Sequence, residues 1–428
     1  MIDIKLIREN PELVKENIKR KFQNEKLVLV DKVRKFDEEW RKLKYKEDKL
    51  RSERNKISER INHLMKVKKK SEAEKLIKGA KKIPEEILKV QEKSRKLREE
   101  IDEILYKIPN IIHKDVPSGK SDKENVEVKK IGKPGKFSFK IKNHVELGEA
   151  LRLLDFETSA RVSGKGFYYL KGDLALLNSA LINFARDFMV KEGFEYLETP
   201  LMLRGEIIKK VTDLNDMKNQ IYKIDGEDLY LIGTAEHSLI GQFVNQVVNA
   251  KDLPIKQTAY SMCFRKEIGA HGIEEKGIYR THQFNKQEMI VICNPEDSEK
   301  FFEKMKNYTI KIFSSLGIPI RVLEISSGDL GDLKHRQVDI EAWSPKLKGY
   351  YEVGSCSNMT DAQARRLNIK IDNKGKRYIA HTLNNTAIAT SRAMVAIMEN
   401  NQQKDGSIKI PKVLQKYMNG KKIIRREK

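Results

Sequence analysis

Two apolar stripes with a seven-residue repeat limit what the opening part of this chain can fold into. From Val33 the apolar positions are Phe36, Trp40, Leu43, Leu50, Ile57, Ile61 and Leu64, three or four apart except where a charged residue fills the slot. After a Lys-rich stretch from about Lys66 to Ser71, a second stripe runs through Leu76, Ile83, Ile87, Val90, Leu97, Ile101 and Ile104, with Pro84 near the start of its regular part. Isolated helices are marginal in water, and a pair buries both stripes at once. Two such stripes joined by one polar break predict an antiparallel coiled-coil hairpin. At about 1.5 Å per residue it forms an arm roughly 45 Å or more in length. Upstream, Asn10 and Pro11 read as an N-cap and first helical residue, with Leu13, Val14, Asn17 and Ile18 at helical spacing, so a short helix opens the chain.

An arm of this length needs something to reach, and the charge distribution suggests what. The chain has 428 residues and a formal charge of +23. Up to Lys107 there are 33 basic against 22 acidic residues, and after Asn400 there are 9 against 2. The long middle is therefore close to balance, and the excess sits where a polyanion such as RNA would be met. A solvated Lys-rich surface, or a coiled coil that spaces or dimerises, are the alternatives. Three cysteines, Cys263, Cys293 and Cys356, stand far apart, which speaks against a disulfide framework and a zinc knuckle and for a cytosolic setting. No apolar run has the length of a membrane span, and the start lacks the character of a secretory leader.

Punctuation then divides the chain. Residues 1–107 read as a helical domain carrying the arm, and 108–143 as a linker broken by Pro109, Pro117, Gly119, Gly132, Pro134 and Gly135 around a short strand, VEVKKIG. Residues 144–428 read as a catalytic domain with a basic tail. Within it, Ala175 to Lys191 is helical through Leu177, Leu181, Phe184 and Phe188; Gly193 ends the helix before a strand, Phe194 to Leu197, that meets Pro200.

The stretch with most chemistry runs from Ser261 to Cys293. Two apolar, strand-like ends flank a loop with Arg265, Glu267, Gly269, Gly272, Gly277 and Arg280. Phe284, Lys286 and Glu288 alternate, so on a strand they share one face. Arginines can clamp phosphate, an aromatic can stack a base and a buried carboxylate can hold an ammonium, a set that fits ATP plus an amino acid. From residue types alone, a solvated hairpin with a charged loop is an equal reading.

The strings FRKE and YRTHQFNKQE resemble motif 2 of class II aminoacyl-tRNA synthetases, in the form found in seryl-tRNA synthetases. YLIGTAEHSLI, from Tyr230 to Ile240, resembles that family's TAE loop, although His237 stands where the family often has an apolar residue. As a bare string Thr-Ala-Glu is better explained as a helix N-cap. YYEVGSCSN, from Tyr350 to Asn358, is similar to the family's E-x-S-S-C-S-N, with Gly354 replacing the first serine. HTLNNTAIATSRAMVAIMEN resembles motif 3, and the helix, strand and proline before Pro200 resemble motif 1, the family's dimer interface. The arm resembles the family's tRNA-binding arm, and the linker is similar to the family's as well.

This resemblance implies an α+β chain: an antiparallel coiled-coil arm followed by a class II domain on a mostly antiparallel sheet flanked by helices. It implies a ligase that forms seryl-adenylate from L-serine and ATP and transfers serine to tRNA(Ser), with tRNA(Sec) left open. It further implies a cytoplasmic homodimer that uses Mg²⁺, and the cysteine and histidine spacing argues against the zinc-dependent variant. Catalysis would rest on Arg265, Arg280 and Arg392. The ATP set would be Arg265, Lys266, Glu267, Arg280, Thr281, Phe284, Glu352, Val353, Gly354, Ser355 and Arg392, with Glu352 and Ser355 as metal ligands. Serine would meet Thr234, Ala235, Glu236, Arg265, Glu288, Asn384 and Thr386. A non-catalytic coiled-coil RNA-binding protein and a synthetase-like amino-acid ligase are the rival readings.

Overall fold

The computed structural model describes residues 1–213, 219–267 and 277–426. They form two compact units, Ile2–Lys19 with Gln23–Ile108, and Met1 with Arg20–Phe22 and Pro109–Lys428.

In the first unit, the expected helix Pro11–Arg20 is capped by Asn10, whose Oδ1 accepts from Leu13 N at 3.2 Å. A shorter helix, Ile4–Glu9, precedes it with Asp3 as its cap; six residues are too few for periodicity to announce it. The arm consists of α1 (Leu27–Lys66), whose 40 residues span about 60 Å, and a return limb of α2 (Lys70–Ala80) and α3 (Ile83–Leu105). Pro84 lies in the first turn of α3, where its missing N–H leaves no hydrogen bond unmade.

Val33 and Leu64 are buried as expected, but the seam of α1 also buries Asp37 and Glu47. Asp37 takes both its oxygens to Arg8, at 2.7 and 2.6 Å, and one to Arg41 at 3.0 Å. Glu47 fills the slot between Leu43 and Leu50. It accepts from Lys44 at 2.7 Å, from Arg51 at 3.1 Å and, across the seam, from Gln91 of α3 at 2.9 Å. The Lys44 hydrogen bond above all holds its carboxyl below the usual range. On α3, Ile87, Val90, Ser94, Ile101 and Ile104 are buried at heptad spacing.

The second unit is built on an eight-stranded sheet. Its strands are β1 (Val126–Ile131), β2 (Glu195–Leu197), β3 (Ile255–Phe264), β4 (Gln283–Cys293), β5 (Ile320–Glu324), β6 (Arg336–Ser344), β7 (Gly349–Thr360) and β8 (His381–Ala389). Their order is β1-β5-β6-β7-β8-β4-β3-β2, and only the β2–β3 pair is parallel. The VEVKKI segment is therefore an outer strand of this sheet.

Four helices matter for the site: α4 (Gly172–Lys191), α5 (Ala235–Gly241), α6 (Ser298–Ser315) and α7 (Thr390–Asn400). Met289, Val291 and Cys293 of β4 join a core cluster with residues of α4, α6 and α7, whereas Ile290 and Ile292 join a second cluster with α5. Strand β4 is thus covered on both faces, which accounts for its unbroken apolar end. Phe284, Lys286 and Glu288 fall on the even-numbered face, the α5 side.

All three cysteines are buried and unpaired. Burial pushes the Cys293 thiol up to about 12 and Cys356 well above its ordinary value, so both are inert at neutral pH. Among the described residues, no helix is long and apolar enough to cross a membrane.

Candidate active site

Register builds the site. In the β3–β4 pair, Cys263 faces Phe284, Ser261 faces Lys286 and Ala259 faces Glu288; on the other side of β4, Thr386 of β8 faces Glu288. Arg265 leaves β3 with its N–H on the His282 carbonyl at 2.9 Å. Its Nε donates to Gly233 O at 3.1 Å and its guanidinium lies 5.4 Å from the Phe284 ring centre. Arg280 approaches β4 from the far end of the loop and meets Glu267 at 3.2 Å. Gly269 and Gly272 lie outside the described residues. Gly277 is described, with a left-handed φ of 82° and His144 packed where a Cβ would stand, so only glycine fits there.

One end of the site is a hydrogen-bonded set of small polar groups around two carboxylates. Glu288 is buried, and its Oε1 accepts from Thr234 at 3.2 Å and Thr386 at 3.0 Å and also contacts Lys286 Nζ. Thr234 also serves as the N-cap of α5, taking the Glu236 N–H at 3.3 Å, as the cap reading of the string expects. Glu236 accepts from Asn384 and from Gln363, each at 2.9 Å. Burial raises the Glu236 carboxyl to about 7; the Gln363 bond acts against the rise and the Glu288 charge adds to it. His237 lines the same cavity as Thr234 and Glu236. Burial, and then the charges of Arg265 and Lys286, push its imidazole down to about 3, which leaves it neutral.

The other end is a cluster of charges. Arg392, in the first turn of α7, donates to the Glu352 carbonyl at 3.1 Å, pairs with its carboxylate at 3.0 Å and lies 4.7 Å from the Tyr279 ring centre. Burial disfavours the charged guanidinium, but Glu352 more than offsets this and holds the Arg392 proton above the ordinary arginine value. Glu352 is in turn kept ionised: burial opposes its charge, yet Arg392 lowers its pKa. Asp339 of β6 is raised, first by burial and then by the Glu352 charge. It stands opposite Ser355 in the β6–β7 register. The Ser355 hydroxyl is buried, and it holds the Asp339 carboxyl down a little against that rise.

Known proteins match this arrangement along its whole length. Residues 1–112 match the family described as the seryl-tRNA synthetase N-terminal domain, and residues 220–401 match the tRNA synthetase class II core domain (G, H, P, S and T). The serine–tRNA ligase of Methanocella arvoryzae is 45% identical over 98% of this chain and 99% of its own. That of Pyrococcus abyssi is 45% identical over 100% of this chain and 98% of its own.

The chain belongs to the seryl-tRNA synthetase family.

It is thus an aminoacyl-tRNA ligase of class II. A crystal structure of the Pyrococcus horikoshii seryl-tRNA synthetase complexed with ATP superposes with a TM-score of 0.92, at 42% identity over 100% of both chains.

Within this seryl-tRNA synthetase fold, most of the expected nucleotide residues line one cavity: Arg265, Glu267, Arg280, Thr281, Phe284, Glu352, Val353, Gly354 and Arg392. Thr386 reaches it too. A second cavity holds Thr234 and Glu236 and shares Arg265, Glu267 and Arg280 with the first. Asn384 meets it through Glu236. Lys266 turns elsewhere, with its Nζ 5.9 Å from the Tyr222 ring centre, and Ala235 is buried in the α5 cluster. Ser355 lines neither cavity.

Residues absent from the expected set are Tyr279 beneath Arg392, Lys286 on Glu288, Gln363 on Glu236 and Asp339 opposite Ser355. Lys286 was signalled by its alternation with Phe284 and Glu288. Asp339 alternates with Glu341 and Trp343 along a strand, a pattern legible in the sequence, whereas Gln363 comes from a distant segment with no local pattern.

Gly354 departs from the family pattern for a visible reason. A Cβ at this position would stand 3.1 Å from Thr309 Cγ2 and 3.4 Å from the Thr386 carbonyl. Thr309 itself is fixed, donating to Thr386 O at 2.7 Å and accepting from Asn385 at 2.8 Å. We expect Gly354→Ser to lower stability by about 1–3 kcal/mol, as overpacking does. Adding Thr309→Ser, which keeps the hydroxyl and removes the methyl, should recover most of the loss in thermal unfolding.

Proposed function

We propose that this chain activates L-serine with ATP to form seryl-adenylate and transfers the seryl group to tRNA(Ser). The observation that carries this reading is a shared arginine wall, Arg265 and Arg280, between a cavity rimmed by Arg392 and one containing Thr234 and Glu236. An anionic nucleotide and a small ammonium-bearing molecule then meet at one guanidinium. The ATP complexed by the Pyrococcus horikoshii relative supports the nucleotide half.

In this reading the serine carboxylate attacks the α-phosphorus and pyrophosphate leaves, so the protein supplies orientation and charge and no nucleophile. Arg265, held through Nε, directs its remaining N–H groups at the α-phosphate and the serine carboxylate. Arg280 and Arg392 take the outer phosphates, and Phe284 stacks adenine. Thr234 and Glu236 receive the ammonium; Glu288 and Thr386 receive the hydroxyl. Asn384 orients Glu236. Alanine would leave the buried Glu288–Thr386 pair unsatisfied, a loss of about 10⁴ or more, whereas threonine is rejected only by space, roughly 10 to 200-fold.

Glu352, on the wall of the nucleotide cavity, with Ser355 behind it beside Asp339, offers hard oxygens of the kind Mg²⁺ takes, and the ion would supply charge neutralisation when bound with phosphates. The reaction asks for no zinc.

Domain limits of 1–107, 108–143 and 144–428 remain our working division, with the basic arm as the tRNA contact and a cytoplasmic setting. Dimerisation through α4 and β2 is supported by exposed Leu176, Val190, Leu201 and Met202 around an edge strand. Sedimentation should give twice the chain mass.

Serine-dependent ATP–pyrophosphate exchange tests the reaction. Arg265→Ala should abolish exchange with the fold retained; substantial residual exchange would remove the role given to Arg265. Deleting Leu27 to Leu105 should spare exchange and cripple tRNA charging, and charging that survives the deletion would reassign the arm.

The raised Glu236 carboxyl gives a pH signature. Glu236 is protonated in the free enzyme below about 7 and must ionise to hold the ammonium. The KM for serine should therefore rise toward about tenfold per pH unit below that value. A flat KM for serine across this range would contradict the assignment.

A further inference from the structure

Away from the reaction site, three metal-competent side chains from separate segments of the second unit converge. Asn110 N donates to Asp332 O at 2.7 Å and His113 N to His335 O at 2.8 Å, so backbone pairing sets the two histidines side by side. Their rings meet edge to face, 5.3 Å apart and 80° between planes. Glu299, in the first turn of α6, completes the group. One ligating atom from each of His113, His335 and Glu299 lies within 4.8 Å of the other two.

The surroundings orient each of these groups. His335 Nδ1 is 2.6 Å from the Ile111 carbonyl. A carbonyl only accepts, so Nδ1 carries the proton and Nε2 keeps its lone pair; this is the tautomer of a metal-binding histidine with an outer carbonyl partner. His113 Nδ1 accepts the Asp115 N–H at 3.2 Å, so the neutral ring carries its proton on Nε2, and ligation through Nε2 requires that this ring give up that bond and change tautomer. Glu299 accepts from Asn358 at 2.7 Å on one oxygen and from Arg336 at 3.3 Å on the other, and each oxygen retains a lone pair. The Arg336 charge is taken up by both oxygens of Glu324, at 2.8 and 3.0 Å. The Glu299 side chain is 42% exposed, which leaves an ion a way in.

We propose that His113, His335 and Glu299 bind one divalent transition cation. Two imidazoles and a carboxylate match Zn²⁺, with Co²⁺ and Ni²⁺ as substitutes, and are a poor set for Mg²⁺, which prefers oxygen. Bound there, the ion ties the segment after Pro109 to β6 and to the start of α6. Asn358, at the far end of the strand bearing Glu352, acts as an outer support. The ion takes no part in the reaction and would act on stability.

The test uses full-length, tag-free, metal-stripped protein titrated with Zn²⁺ by calorimetry and with Co²⁺ by its visible ligand-field absorption, alongside thermal unfolding. We expect one high-affinity equivalent per chain and a midpoint that climbs with Zn²⁺ concentration. His113→Ala and His335→Ala should each weaken binding by more than about 100-fold, beyond the 10 to 100-fold of an outer-shell change. His63→Ala, on the arm, should change nothing. Should either alanine variant fail to fold, Glu299→Gln keeps the shape of the site and must still lose the Zn²⁺-dependent midpoint shift. Absence of a Zn²⁺ equivalent in the parent chain, or one that persists in all three site variants, overturns the proposal.

Discussion

A carboxylate with 3% of its surface exposed survives in a protein interior only if its charge is answered. Glu288 is answered from three directions at once: by the α5 cap residue Thr234, by Thr386 of the neighbouring strand and by Lys286 two places before it. Thr234 and Thr386 could not be supplied without the β8-β4-β3 register, since a one-residue slip would turn Glu288 to the opposite face, among α4, α6 and α7. The strand order of the sheet and the polar set around Glu288 are therefore one requirement, met once.

At the opposite end the cations are already engaged in the free protein. Arg392 rests on Glu352 and Arg280 on Glu267, so two of the three guanidinium groups at this end are each paired with a carboxylate. In the proposed reading a triphosphate would have to draw these guanidinium groups away from their carboxylates, and part of its binding energy would be spent in doing so. The gain is orientation: Arg265 and Arg392 are each held in place by a stacked ring, Phe284 under the first and Tyr279 under the second. Asp339 adds a further restraint, because its proton affinity rises with the charge on Glu352.

Much of this was legible in the sequence, for identifiable reasons. Seven-residue spacing gave both limbs of the arm, because seam residues repeat locally. Alternation gave the shared face of Phe284, Lys286 and Glu288, and the family strings gave the arginines. The seam was less apolar than the spacing suggested: Asp37 and Glu47 occupy buried slots with partners such as Arg8 and Gln91, far away along the chain. The same limit hid Gln363 and the histidine pair, since backbone pairings such as His113 with His335 leave no local pattern. Gly354 was visible as a departure, but its cause, the methyl of Thr309 across the strand, required the fold.

The buried Glu47 has a consequence for the arm as an instrument. Apolar seams alone tolerate sliding, because one leucine serves as well as the next a heptad away. A carboxylate bonded to Gln91 favours one register, for displacement by a heptad breaks the one hydrogen bond it makes across the seam, while Lys44 and Arg51 travel with it. Glu47 works as a detent that locks the two limbs at one setting. The span from the base of the hairpin to its tip is then a fixed gauge, calibrated near mid-length by a single polar notch.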